Sequence, residues 1–305
     1  MKNVLLVALL MLMVAGHCQL LAQPTISFTF DDGVTDDMPG YPFDVWNKLL
    51  LDNLDQAGVK TIFFVTGNNK SDAKGQALLQ SWSDRGHRIG NHTVTHSNYG
   101  SKNTTYEQFA AELLQTDSII RQYTGYLAMF RFPYLKEGET REKVDSFRAL
   151  LRQHQYRNGH VTIDASDWYI SNRLRTRLRQ LPDSDVAGFK KYYLEHLFER
   201  ATYYDDLAYK LTGRHIHHTL LLHHNLAAAM FVDDLVAMFK TKGWKIVSAE
   251  EAYRDLIFEK QPLNLPAGES LIWALAKESG KFEQMLRYPA EDSQYEKERM
   301  DALGL

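Results

Sequence analysis

The chain of 305 residues has one cysteine, Cys18, so neither a disulfide framework nor a cysteine zinc knuckle can form. Any metal must therefore be held by His, Asp or Glu, and twelve histidines are present. A surplus of either charge is also missing. The 35 Lys and Arg stand against 38 Asp and Glu, a formal charge of -3, without the basic excess that marks a nucleic-acid partner. Apolar residues at 44% and charged residues at 24% lie near globular averages, which argues against intrinsic disorder. No internal repeat or low-complexity linker interrupts the chain. Past the first segment, no apolar run reaches the about 20 residues that a membrane helix needs.

That first segment, residues 1–22, has Lys2 ahead of an unbroken apolar run from Val4 to Ala15, then Leu20-Leu21-Ala22 before Gln23. This is the pattern of a secretory signal peptide cut after Ala22. A lipoprotein reading of Cys18 is disfavoured by His17, where a small residue is wanted. Cleavage would remove the lone thiol and Lys2, leaving 34 basic against 38 acidic residues. The expected product is exported, to the periplasm or beyond, with no stable membrane span.

Short apolar runs then alternate with amphipathic stretches. Thr25–Phe30, Thr61–Val65, Arg88–Gly90, Leu127–Phe130, His160–Ile163, Leu220–Leu222 and Lys245–Val247 read as strands. Asp44–Gln56, Ala73–Arg85, Tyr106–Tyr123, Thr140–His154, Val186–Thr212 and Ala227–Lys242 read as helices, several closed by glycine. Continuous apolar strands alternating with helices predict a parallel sheet buried on both faces. Seven to eight such units fit an α/β fold of the (β/α) barrel kind better than an open sheet. Pro262–Pro266 marks a break. The expected organisation is a signal peptide (1–22), a barrel (23–258) and a C-terminal appendage (259–305). In the appendage an apolar helical patch, Ser270–Ala276, gives way to a polar, fraying tail.

In a parallel barrel the site lies at the C-terminal ends of the strands. The strand ends run into Asp31-Asp32, His92, Arg131, Asp164 and His223. Chance would scatter such residues over both ends. His92 and His96 are spaced i, i+4, which suits one cation, although such pairs alone are commonly surface or core residues. Asp31 and Asp32 repel each other and need positive charge nearby, from a divalent metal or Arg131. The bland reading of that pair is a solvated loop or helix cap.

Five ordered motifs carry a resemblance: Thr29–Gly33 (TFDDG), His92–His96 (HTVTH), Arg131–Tyr134 (RFPY), Asp164–Trp168 (DASDW) and Leu221–His223 (LLH). Together they resemble the polysaccharide deacetylases, the NodB-homology group or carbohydrate esterase family 4, over about residues 25–255. The resemblance implies a distorted (β/α)7-8 barrel and a metal-dependent hydrolase that removes acetyl groups from N-acetylated sugars. The glycan would be peptidoglycan, an exopolysaccharide or chitin-like. It implies Asp32, His92 and His96 as ligands of a divalent ion, zinc first and cobalt or manganese as alternatives. It implies Asp31 as general base, Arg131 as its charge partner and His223 as general acid. The Tyr134 backbone N–H, fixed after Pro133, would be an oxyanion donor, and Pro133, Trp168 and Leu221 would line the substrate pocket. Asp164 and Asp167 both remain candidates for the residue that tunes the site.

Two departures stand out: His224 where Asp often follows the last motif's His, and Leu135 where glycine often follows Tyr134. Other readings are a hydrolase of another amide, imide or O-acetyl ester, and a non-catalytic glycan-binding barrel. The RHIHH tract with His215, His217 and His218 lies at the far end from the site and reads as surface or packing. Arg173–Arg179 (RLRTRLR) reads as a solvated face, with an anionic glycan as the sharper alternative. Trp244, Tyr203 and Tyr204 read as packing residues.

Overall fold

A computed structural model describes residues 23–287 and 293–305. The segment read as an export signal, residues 1–22, lies outside the described residues. The strands are β1 (Thr25–Asp32), β2 (Ile62–Val65), β3 (Arg88–Asn91), β4 (Tyr126–Phe130), β5 (Lys136–Gly138), β6 (Arg157–Asn158), β7 (His217–His223), β8 (Lys245–Ile246) and β9 (Ala267–Gly268). The helices are α1 (Phe43–Ala57), α2 (Ala73–Asp84), α3 (Tyr106–Ile120), α4 (Arg141–Gln153), α5 (Asp167–Gln180), α6 (Ala187–Thr212), α7 (Leu226–Thr241), α8 (Ala249–Ala252), α9 (Leu271–Ser279) and α10 (Ser293–Ala302).

Parallel strands in the order β6-β4-β3-β2-β1-β7, with β8 also on β1, form the central sheet. The run expected as a strand at His160–Ile163 is reduced to one bridge, Ile163 to Leu220. The chain passes from β4's side at Arg157–Asn158 to β7's side at Ile163, so residues 157–163 close the gap between the two sheet edges. The fold is therefore a distorted (β/α) barrel with helices outside. Its interior is crowded by Phe64. A Cβ on Gly90 or Gly159 would come within 2.7 and 2.5 Å of that ring, so both positions need glycine for close approach.

Register sets the site. Asp31 pairs across with Phe64 of β2 and His223 of β7, Val65 with Asn91, and Asn91 with Phe130. The residues that follow, His92 and Arg131, thus emerge at the level of Asp31 and Asp32. β1 is buried through seven of its eight residues, as expected for a strand covered on both faces.

The C-terminal segment differs from the expected fraying tail. Glu269 N–H donates to Leu135 O, and β9 pairs antiparallel with β5. In α10, Met300 is fully buried and Glu296 is 1% exposed. The charged sequence hid this helix because its acids and bases also pair with α5 and α6: Arg173 with Asp301, Arg299 with Glu199.

Candidate active site

Asp31 and Asp32 are neighbours with opposite environments. Asp31 is 3% exposed, and its Oδ1 accepts from Arg131 Nη1 at 2.5 Å. Burial outweighs that pairing and pushes the carboxyl up to about 6. Arg131 is itself fixed by the Gly159 carbonyl, the Tyr253 hydroxyl and the Phe64 ring face 4.0 Å away. Burial would raise Asp32 as well, but His223, His96, His92 and Lys70 outweigh it and hold Asp32 below the usual range. Two carboxyl groups driven apart in this way suit a base and a ligand.

His92 Nε2 lies 3.9 Å and His96 Nε2 3.5 Å from Asp32 Oδ1. One donor atom from each of the three residues falls within 4.8 Å of the others. His92 Nδ1–H donates to Arg131 O at 2.8 Å, which turns the Nε2 lone pair inward. Burial, reinforced by His96, holds His92 well below its ordinary value, and burial likewise lowers His96. Two neutral imidazoles and a carboxylate, all acceptors and too far apart to hydrogen-bond, converge on one point. That donor set fits a divalent cation. The loop carrying both histidines is clamped by Glu112 of α3, which accepts from Val94 N, Thr95 N, Thr95 Oγ1 and Ser97 Oγ at 2.7–3.1 Å.

His223 meets Asp167, not Asp164. His223 Nδ1 lies 2.7 Å from Asp167 Oδ1, and the His223 backbone N–H donates to Oδ2 at 2.9 Å. Burial opposes the imidazolium, but Asp167, fully buried, with Asp32 and Asp31 overcomes it and pushes His223 up to about 10. Asp164 turns back on its own strand end, where it accepts the Ala165 N–H at 2.9 Å, and it lines the cleft. Asp167 opens α5, whose first turn has no side-chain cap. Instead Ser166 N–H donates to His196 Nε2 at 3.0 Å, and His196 Nδ1 lies 3.4 Å from Glu296 of α10. With Nε2 accepting, Nδ1 carries the proton toward Glu296.

These groups open into a cleft of about 640 Å³. Trp168, Leu221, Tyr134 and Leu135 line it; Pro133, buried, does not, and Arg131 and Asp167 stand behind Asp31 and His223. Among the described residues, Asp32, Thr93, His96, Tyr134 and Leu135 are five of the eight non-glycine residues with positive φ. Such strain gathers where a surrounding site holds it. Leu135, where glycine is common in the resemblance, adopts φ 57 without glycine's freedom. His224 borders the cleft, but its ring packs among aromatic side chains. It is 1% exposed between Trp46, Phe63 and Trp82, with Nε2 3.0 Å from Asn47 Oδ1. His215 and His218 both contact Asp205 beyond the other end of β7, in packing roles.

Sequence reasoning missed Lys70, Glu112, Tyr253 and His196. Lys70 is 3% exposed and pushed down to about 8, by burial, against the pull of Asp32, Asp72 and Asp36. A lone lysine in NNKS leaves no local signal; its role emerges only when the β2 loop folds under Asp32.

Residues 21–159 match the family model described as polysaccharide deacetylase. A peptidoglycan-N-acetylglucosamine deacetylase of Bacillus cereus is 33% identical over 110 residues, 36% of this chain and 36% of that protein. The peptidoglycan-N-acetylmuramic acid deacetylase PdaA of Bacillus subtilis is 28% identical over 249 residues, 80% of this chain and 75% of that protein. The chain spans about a third of the length of the first two curated relatives it matches. A solved structure of a peptidoglycan N-acetylglucosamine deacetylase superposes with a TM-score of 0.53 at 18% identity, over 76% of this chain and 89% of that one. At that identity the likeness is one of fold. The ordered motifs, the barrel and these matches together liken the chain to the polysaccharide deacetylases, whose family model covers residues 21–159.

Proposed function

We propose that the protein is an exported, metal-dependent deacetylase of N-acetylated glycans of the peptidoglycan, exopolysaccharide or chitin type. The observation that carries this reading is the convergence of a poised carboxylate, a charged histidine and a three-donor cation site on one cleft. Asp32, His92 and His96 would hold the ion. When bound there, a zinc-like ion supplies Lewis acidity for the acetyl carbonyl and the attacking water.

Asp31, with a carboxyl near 6, is ionised at neutral pH yet basic enough to take a proton from that water. Arg131 keeps it in place. The Tyr134 N–H serves as a donor to the developing oxyanion. Trp168 and Leu221 bracket the acetyl methyl. His223 then gives its proton to the leaving nitrogen, with Asp167 holding the imidazolium. An amide nitrogen cannot leave as an anion, so an acid is required. A histidine held protonated favours amide over O-acetyl ester, whose alkoxide is the better leaving group. Export rests on the leader pattern of residues 1–22. Among the described residues no helix is long and apolar enough to cross a membrane.

Acetate release tests this. Purified protein should release acetate from N-acetylglucosamine oligomers, lose that activity to a chelator, and regain it with added zinc. Release from O-acetyl esters alone, or activity indifferent to chelator, would overturn the reading.

A further inference from the structure

Four arginines alternate along α5 in RLRTRLR. The structure gives them different jobs. Arg173 and Arg177 lie about one turn apart on the face that receives the C-terminus. Arg173 pairs with Asp301 at 2.7 Å and donates to the Leu305 carbonyl, and Arg177 donates to the Gly304 carbonyl. Arg175 points elsewhere. It completes a helical stripe with Trp168, Ser171 and Asn172 that lines the cleft, at the i, i+3, i+4, i+7 spacing of one helix face.

Arg175 is half-buried, and its Nε is buried with no hydrogen-bond partner. Among the described residues its single hydrogen bond is to Asn172 Oδ1 at 3.5 Å, too long to count for much. No carboxylate among the described residues forms an ion pair with it. The other lysine or arginine that lines the cleft, Lys136, is matched by Glu269. Arg175 lines the cleft with no carboxylate partner among the described residues, and the two Nη groups of its guanidinium can donate together to an anion that enters there.

We propose that Arg175 forms an anion subsite of the cleft, and that the glycan carries a carboxylate on a sugar next to the one that loses its acetyl group. The inference rests on the deacetylase reading of the same cleft. Seven residues of helix separate Trp168 from Arg175, about 10 Å along the axis. The group met by Arg175 therefore belongs to a neighbouring sugar rather than to the acetamide. Planar, two-point recognition selects a carboxylate over a hydroxyl. The carboxylate can be a lactyl ether or a uronate.

The test compares acetate release from N-acetylated oligomers of equal length: a neutral one, one bearing a lactyl ether acid, one bearing a uronate, and the carboxyl-reduced form of each acid. The readout is the ratio of kcat/KM on acid to kcat/KM on its reduced form. The wild type should favour one acid by roughly tenfold or more, the worth of a charge-assisted hydrogen bond. Which acid it favours names the source. Arg175→Gln should bring the ratio close to one, and Arg175→Lys should restore only part of it. A merely structural role would lower both rates and leave the ratio unchanged. A wild-type ratio near one, or a ratio unmoved in Arg175→Gln, overturns the proposal. If no oligomer releases acetate, the deacetylase reading fails by itself. The subsite is then decided by tryptophan-fluorescence titration with acid and reduced oligomers, where equal affinities in the wild type overturn it.

Discussion

Replacing Asp167 by asparagine keeps the shape of the His223 contact and removes its charge. The structure sets the scale. His223 is pushed from its ordinary 6.5 to about 10 against the cost of burial, with Asp167 the largest favourable influence and Asp32 and Asp31 behind it. At about 1.4 kcal/mol per pH unit, that rise is worth roughly 5 kcal/mol in favour of the imidazolium. A cation held by Asp32 offsets the share of the two site carboxylates, so the share of Asp167 decides the charge in the working enzyme. In Asp167→Asn the alkaline limb of kcat/KM should move down by roughly one pH unit or more. The maximal rate should fall by about 10²–10⁴, the range of a lost general acid. The assay is acetate release across pH 5 to 10 (about the span between an ordinary carboxyl and an ordinary lysine), with metal content measured on each sample. Asp164→Asn, made in parallel, should leave the alkaline limb in place, because it is Asp167 that meets His223 Nδ1 and its backbone N–H. An unmoved limb in Asp167→Asn, or a moved limb in Asp164→Asn, would refute the assignment of Asp167.

Two further outcomes follow from the supports around the site. Glu296 is held at about 2, below its ordinary 4.5; burial opposes this, and His196 and Tyr192 overcome it. A depressed carboxyl stabilises the fold above about pH 4.5, and the contribution fades as pH falls toward 2. Glu296→Gln should therefore cost about 2–3 kcal/mol at pH 7 after allowance for solvent screening, and little near pH 2. Denaturant unfolding at both pH values reads the difference, and equal costs would sink the argument. Glu112→Ala leaves the Val94 and Thr95 N–H groups without their acceptor. Zinc affinity by chelator competition should weaken by roughly tenfold to a hundredfold, as for other supports of ligand residues. Unchanged affinity would show that the loop holds its shape unaided.

The strand ends were legible because parallel strands deliver their last residues to one rim, and β1, β3, β4 and β7 each end in an ionisable residue or run directly into one. Register could not be read: that Asp31 faces His223 directly depends on β1 and β7, far apart in sequence, pairing with Ser27 opposite Thr219. Asp164 and Asp167 could not be separated because the choice turns on where α5 begins. Ser166 sits outside the helix, and its N–H is held by His196 of another helix. α5 itself was obscured by its arginines, which read as a solvated face although two of them bind the C-terminus. The closing segment read as a strand at His160–Ile163 keeps apolar residues but bends to reach both sheet edges. Glu112 and Glu296 left no trace in local pattern, since each acts on residues distant in sequence.

The central claim is that one carboxylate of the Asp31–Asp32 pair does chemistry while its neighbour holds the ion. The most direct measurement is acetate release per bound metal in Asp31→Asn, with zinc counted in the same sample. The account predicts metal content equal to the wild type and turnover reduced by roughly 10²-fold or more. Full turnover with full metal would contradict it.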